Sequence, residues 1–86
     1  MRWAVTFFDR RVEDEILALP AGFVVRFVRY AERMETFGPD LGMPHTRAMD
    51  NGLLELRLKA AEGIARILYC AVVGRRIVFL HQFVKK

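Results

Sequence analysis

The side chains best able to hold an anion or move a proton are crowded into the last third of this 86-residue chain: Arg57, Lys59, Arg66, His81, Lys85 and Lys86. A guanidinium presents a planar fork of donors that matches carboxylate or phosphate oxygens, and an ammonium acts as a mobile point charge. Imidazole is the side chain whose ordinary titration falls near neutrality, so His81 is a candidate acid or base. Tyr69, three residues beyond Arg66, could stack on a planar ligand or bond to an anion. Each residue also has an ordinary reading. Arg57 can be a solvated strand residue paired with Glu55 or a cross-strand acid, a lone strand histidine is commonly structural, and terminal lysines solubilise a chain end. Arg66 is harder to dismiss, because a charge inside an apolar run needs a partner or an open cleft. In a regular strand Arg66 and Tyr69 point to opposite faces, so both serve one site only if a bulge intervenes, and Tyr69 otherwise belongs to the core. His45 falls in a loop and reads as a loop residue.

The charge distribution sharpens this. Residues 57–86 contain seven Lys or Arg against one acid, Glu62, whereas residues 1–56 contain seven Arg against nine Asp or Glu. A local charge of +6 on one part of a small domain suits a polyanion, most commonly nucleic acid. It equally suits a sheet edge guarded against aggregation, and charge alone leaves both readings open. Other chemistries find little footing. Two histidines and one cysteine at unrelated positions make no metal site, glycine-rich phosphate loops are absent, and the chain has no serine. Cys70, in an apolar segment, reads as an inert hydrophobe.

Something must position these groups, and the chain is long enough for one domain, residues 1–86. With one cysteine an intramolecular disulfide is impossible, and the expected home is the cytoplasm. The apolar runs are short and interrupted by charge, so neither a membrane span nor a signal peptide is expected. Hydrophobic residues reach 53%, rich for so small a domain, which hints at a partner covering part of the surface.

Trp3 to Phe8 is an aromatic and β-branched run, a strand by composition. Asp9 is a suitable N-cap for a helix through Leu19, with Val12, Ile16 and Leu19 as its buried stripe and Pro20 as its stop. A second helix follows Ala21-Gly22, its apolar face carrying Phe23, Val24, Phe27, Val28, Ala31, Met34 and Phe37, and Gly38-Pro39 ends it. Its other face carries Arg26, Arg29 and Arg33, read first as a solvated face. Residues 38–52 read as a loop. Leu54, Leu56 and Leu58 then alternate with Glu55, Arg57 and Lys59 in a half-buried strand. Ile64 to Val73 and Ile77 to Val84 complete a three-stranded meander. The expected fold is therefore α+β, in the order β-α-α-β-β-β, with two helices on one face of a mainly antiparallel sheet and the other face open and polar.

Three segments in this order resemble a known family. Gly52-Leu53-Leu54-Glu55-Leu56-Arg57 is similar to a characteristic strand of HigB-like toxins in the RelE/ParE superfamily. Gly63-Ile64-Ala65-Arg66-Ile67-Leu68-Tyr69 resembles their next strand, and Ile77 to Lys86 resembles the segment that closes their fold. Leu54 stands where an aromatic is common and Gln82 where glycine is common. The resemblance implies the toxin of a type II toxin–antitoxin pair, of the HigB-like, phage-derived kind. It further implies an endoribonuclease that cleaves translated mRNA on the ribosome without a metal or other cofactor. That reaction uses the 2′-hydroxyl as nucleophile and needs a base, cations for the charge growing on phosphorus, and an acid for the leaving oxygen. Under it Arg57 and Arg66 are expected to stabilise the phosphate, His81 to act as base or acid, and Lys85 to join the catalytic set. Lys59, Tyr69 and Lys86 are expected to bind substrate. The partners it implies are a helix-turn-helix, HigA-like antitoxin, the ribosome and mRNA, with operator DNA reached only through the antitoxin and no membrane. A ParE-like gyrase inhibitor shares the fold, and relatives commonly continue past the lysine pair, so a member that binds antitoxin without activity is the third expectation.

Overall fold

The structure is a computed structural model that describes residues 2–85, with the backbone alone at Lys85. Its elements are β1 (Ala4–Phe7), α1 (Arg10–Leu17), α2 (Ala21–Phe37), β2 (Thr46–Ala48), a 3-10 turn (Asp50–Gly52), β3 (Leu54–Ala60), β4 (Gly63–Val72) and β5 (Arg76–Lys85). The five strands form one sheet in the order β1-β5-β4-β3-β2. β1 runs parallel to β5 and the other neighbours are antiparallel. This is the α+β arrangement expected, with one addition. β2 lies inside the stretch read as loop. A three-residue strand is too short to leave a periodic signal, and it exists here because Thr46, Arg47 and Ala48 pair with Leu56, Glu55 and Leu54.

The helices begin where their caps dictate. Asp9 accepts the backbone N–H of Val12 at 2.9 Å and starts α1, which buries Val12 and Ile16. α2 follows Pro20, which has no side chain to cap it. The missing acceptor comes from the β3–β4 turn, where Glu62 takes the N–H of Gly22 at 3.2 Å. α2 buries Phe23, Phe27 and Met34 against the sheet, but Val28 and Phe37, expected on that face, are exposed. Val28 lies roughly 100° round the helix from Phe27, and Phe37 is the terminal residue. At Gly38 the backbone takes φ of 91° and passes close to Trp3, with the site of a Cβ only 3.2 Å from the indole nitrogen. A side chain there would be strained and crowded at once.

The core lies between the helices and one sheet face. Leu56, Leu58, Ala65, Ile67, Tyr69, Ile77 and Phe79 are buried there. Phe27 meets Phe79 edge-on with ring centroids 5.0 Å apart, and Tyr69 lies 5.4 Å from Phe79. This corrects one expectation. Tyr69 is fully buried on the helix side of the sheet, opposite the face of Arg66, and cannot touch a bound nucleic acid. A register shift does interrupt the β4–β5 pairing between Leu68 and Tyr69, but the extra residue is Leu80 of β5, so the alternation along β4 is kept. The phenol donates instead to the carbonyl of Pro39 and pins the loop after α2 to the core.

That contact generates an alkaline signature. Burial, and after it the Asp40 carboxylate, push the phenol well above its ordinary value near 10, against a smaller opposing effect of a hydrogen bond with Thr46. The folded state therefore holds this proton more tightly than the unfolded chain. Its contribution is complete below about pH 10 and is lost as pH rises beyond that. Urea unfolding between pH 8 and 11 should show wild-type stability falling more steeply at the alkaline end than that of Tyr69→Phe. The variant should start about 1–3 kcal/mol lower, because the Pro39 carbonyl loses its donor. Parallel curves would show that Tyr69 is not the alkali-sensitive group.

Candidate functional site

The sheet face turned away from the helices carries the charges, and the strand registers arrange them in rows. Arg47, Glu55, Leu68 and His81 form one row, and Arg57, Arg66 and Phe83 the next. Lys59, Ile64 and Lys85 form a third. Neighbouring strands are about 4.8 Å apart, so Arg57 and Arg66 are direct cross-strand neighbours, and Lys59 stands two residues from Arg57 on the same face. Two like charges placed opposite each other are unfavourable unless an anion lies between or beside them.

One such anion is built in. Glu55 has a side chain only 5% exposed and lies 3.5 Å from Arg66 and 3.6 Å from Arg47. Arg66 thus has the partner its apolar strand requires, and that partner comes from β3 rather than from a ligand. The buried Nε–H of Arg66 still has no acceptor among the described residues. Arg57, expected to stabilise a phosphate or else to sit as a strand residue paired with an acid, pairs with no acid among the described residues, and neither does Lys59. The two arginines therefore differ: Arg66 is anchored and Arg57 is available.

His81 is exposed, its ring 6.3 Å from that of Phe83. From the register it stands two strands and one row from Arg57, roughly 12 Å between Cα positions. It also borders a cleft that includes Asp9, Arg11 and Glu15 of the α1 region. The expected set is thus brought together only in part. Arg57, Arg66 and Lys59 converge, the backbone of Lys85 lies in the Lys59 row, His81 stands apart, and Tyr69 faces the core. The expectation for Lys86 lies outside the described residues.

Four residues that sequence reasoning passed over belong to this region. Glu55 organises the arginines; its outward place beside Arg57 was legible in the alternation, its burial was not. Arg47 reaches the face only because β2 exists. Phe83, 40% exposed in the Arg57–Arg66 row, offers an aromatic surface on which a base could stack. His45 lies in the turn before β2, as expected, where its carbonyl accepts the N–H of Arg57 at 2.8 Å and its ring packs on Tyr30 with centroids 4.7 Å apart. Thr46 holds the loop in place. Its hydroxyl donates to Asp40 at 3.1 Å and accepts the N–H of Leu41 at 3.0 Å. Among the described residues no group of three or more His, Cys, Asp and Glu converges as a metal site. No helix there is long and apolar enough to cross a membrane.

Helices on one side of a mixed five-stranded sheet make this an α+β domain of the RelE-like fold. Solved structures that share this fold include the following two. One is an archaeal RelE–RelB complex from Pyrococcus horikoshii OT3, 19% identical, with a TM-score of 0.63 over 98% of this chain and 96% of that one. The other is a mutant of the E. coli toxin RelE in the free state, 14% identical, with a TM-score of 0.57 over 95% of this chain and 82% of that one. Comparison with curated protein sequences gave no match. Residues 14–86 match the family described as Phage derived protein Gp49-like (DUF891), and the chain belongs to that family.

The division of labour between the arginines can be measured. Arg66→Ala leaves Glu55 buried with only Arg47 beside it and should lower stability by about 1–3 kcal/mol. Replacing both residues of the pair by leucine should recover much of that loss, since a matched apolar pair carries no stranded charge. Arg57→Ala should change stability by less than about 0.5 kcal/mol. Chemical denaturation of the four proteins decides it. A destabilised Arg57→Ala beside an unaffected Arg66→Ala would reverse the assignment.

Proposed function

We propose that this chain is the toxin of a type II toxin–antitoxin pair and acts as a ribosome-dependent, metal-independent endoribonuclease on translated mRNA. The observation that carries the reading is the open sheet face on which Arg57 and Lys59 stand unpaired beside an anchored Arg66. A binding module would need charge there. A phosphoryl-transfer site needs more, namely cations held rigidly where charge grows on phosphorus. Glu55 supplies that rigidity for Arg66 and keeps it directed by a fixed partner rather than by solvent. Arg57 and Lys59 then bind and neutralise the phosphodiester, and Phe83 offers a stacking surface for a neighbouring base.

In the same reading the chain is neutralised by an antitoxin, a small helix-turn-helix protein of the HigA kind through which operator DNA is reached. Family membership and the shared fold with a RelE that is complexed with RelB support an antitoxin partner. Exposed Leu17, Val25 and Val28 on the helices are apolar surface that such a partner would cover.

The test is induction of the chain in cells without a partner, with mRNA 5′ ends mapped and DNA gyrase assayed in parallel. The expected result is growth arrest with new 5′ ends inside translated codons. Arg57→Ala, with its fold intact, should reduce cutting by about 10²–10³-fold. Double-strand DNA breaks without mRNA cuts would transfer the chain to the gyrase-inhibitor class. Normal growth with antitoxin binding retained would mark it as a member without activity.

A further inference from the structure

β2 covers only the first part of β3. Its last register pair is Thr46 with Leu56, and one further bond joins the Arg57 N–H to the His45 carbonyl. Beyond that point, at Leu58–Ala60, this edge of β3 has no strand beside it among the described residues. A cleft of about 260 Å³ opens there, lined by Tyr30, Pro44, His45, Arg57 and Lys59. One wall is the Tyr30 phenol and the His45 imidazole, their planes 38° apart, with a proline beside them, and the other holds Arg57 and Lys59, neither of which pairs with an acid among the described residues. The first wall suits the flat apolar face of a base and the second suits a phosphate.

We propose that this cleft is a subsite for a single phosphorylated nucleoside, with the base against Tyr30 and Pro44, the phosphate on Arg57 and Lys59, and His45 as the proton-transfer group. The size argues for one nucleotide rather than a longer segment, since it falls just below the roughly 300–1,000 Å³ of clefts that enclose drug-sized ligands. The choice of His45 rests on geometry. Glu55 is buried between two guanidiniums and His81 stands two strands away, whereas His45 shares the cleft with Arg57 and is joined to it through the backbone. Tyr30 fixes the ring plane, and the Thr46–Asp40 contact fixes the loop that carries it.

The catalytic part of this inference rests on the ribonuclease reading. In that reaction neutral His45 takes the proton of the 2′-hydroxyl as the 2′-oxygen bonds to phosphorus and the bond to the 5′-oxygen breaks. The leaving oxygen takes a proton from solvent and His45 returns its own to solvent. The products are a 2′,3′-cyclic phosphate and a 5′-hydroxyl, with no net water consumed.

Binding and chemistry are separable in the test. Titration of the full chain with adenosine 3′-monophosphate, followed by NMR of the aromatic side chains, should move the His45 and Tyr30 ring signals saturably and leave His81 unmoved. Arg57→Ala and Lys59→Ala should each weaken that binding by about tenfold or more, the loss of one charge-assisted contact. Shifts centred on His81 and Phe83, or no saturable binding, overturn the subsite. For the chemistry, His45→Ala should keep nucleotide binding within a few-fold while ribosome-dependent cleavage falls about 10²–10⁴-fold. Near-wild-type cleavage by that variant overturns the proton-transfer role. Nucleotide bound at His45 by a chain that cuts no RNA supports the subsite and removes both that role and the ribonuclease reading.

Discussion

A single buried carboxylate sets the character of the open sheet face. Glu55 sits on β3 between an arginine of β2 and an arginine of β4, so its charge ties three neighbouring strands across their outer surface. A carboxylate so far out of water is tolerated only when charges and donors surround it. Its two guanidiniums meet that condition and are themselves oriented by it. Everything else about the cationic face follows from this assignment. With Arg66 and Arg47 committed, Arg57 and Lys59 are left with uncompensated charge, and the face presents a graded surface from anchored to available cations. The arrangement also softens the cost of facing Arg57 with Arg66 across two strands.

A second constraint acts from the opposite side of the sheet. The Tyr69 phenol, buried among Phe79 and its neighbours, donates to Pro39, while Thr46 gathers Asp40 and Leu41. These contacts turn a loop rich in glycine and proline into a fixed connection that delivers His45 and Arg47 to the β3 edge. The helix-facing core and the open face are therefore not independent. The same strand, β4, sends Tyr69 inward to hold the loop and Arg66 outward to meet Glu55. Glu62 adds a tie of the same kind, since the turn between β3 and β4 caps α2 through Gly22. Long-range polar contacts of this sort suit a small domain whose apolar core alone is thin.

Much of this was legible in the chain. The strict alternation of Leu54, Leu56 and Leu58 with Glu55, Arg57 and Lys59 assigned both faces of β3 correctly, because side chains in a strand alternate whatever the fold. Asp9, Pro20 and Gly38 marked the helix boundaries closely, because capping and chain-stopping are local properties. The basic character of residues 57–86 located the cationic face for the same reason, since charge is carried by composition.

Pairing was not legible. Whether Arg57 or Arg66 meets Glu55, whether His45 or His81 stands by Arg57, and whether residues 46–48 form a strand all depend on which segments lie side by side. Arg66 and Glu55 are 11 positions apart and Tyr69 and Pro39 are 30 apart, distances over which no sequence period carries information. The sequence by itself determined the elements, their buried faces and the sign of the surface, because each is fixed within a few residues by backbone geometry and hydropathy. The tertiary structure alone decided which cation is anchored, which is available and which histidine adjoins it, because those are properties of register between strands.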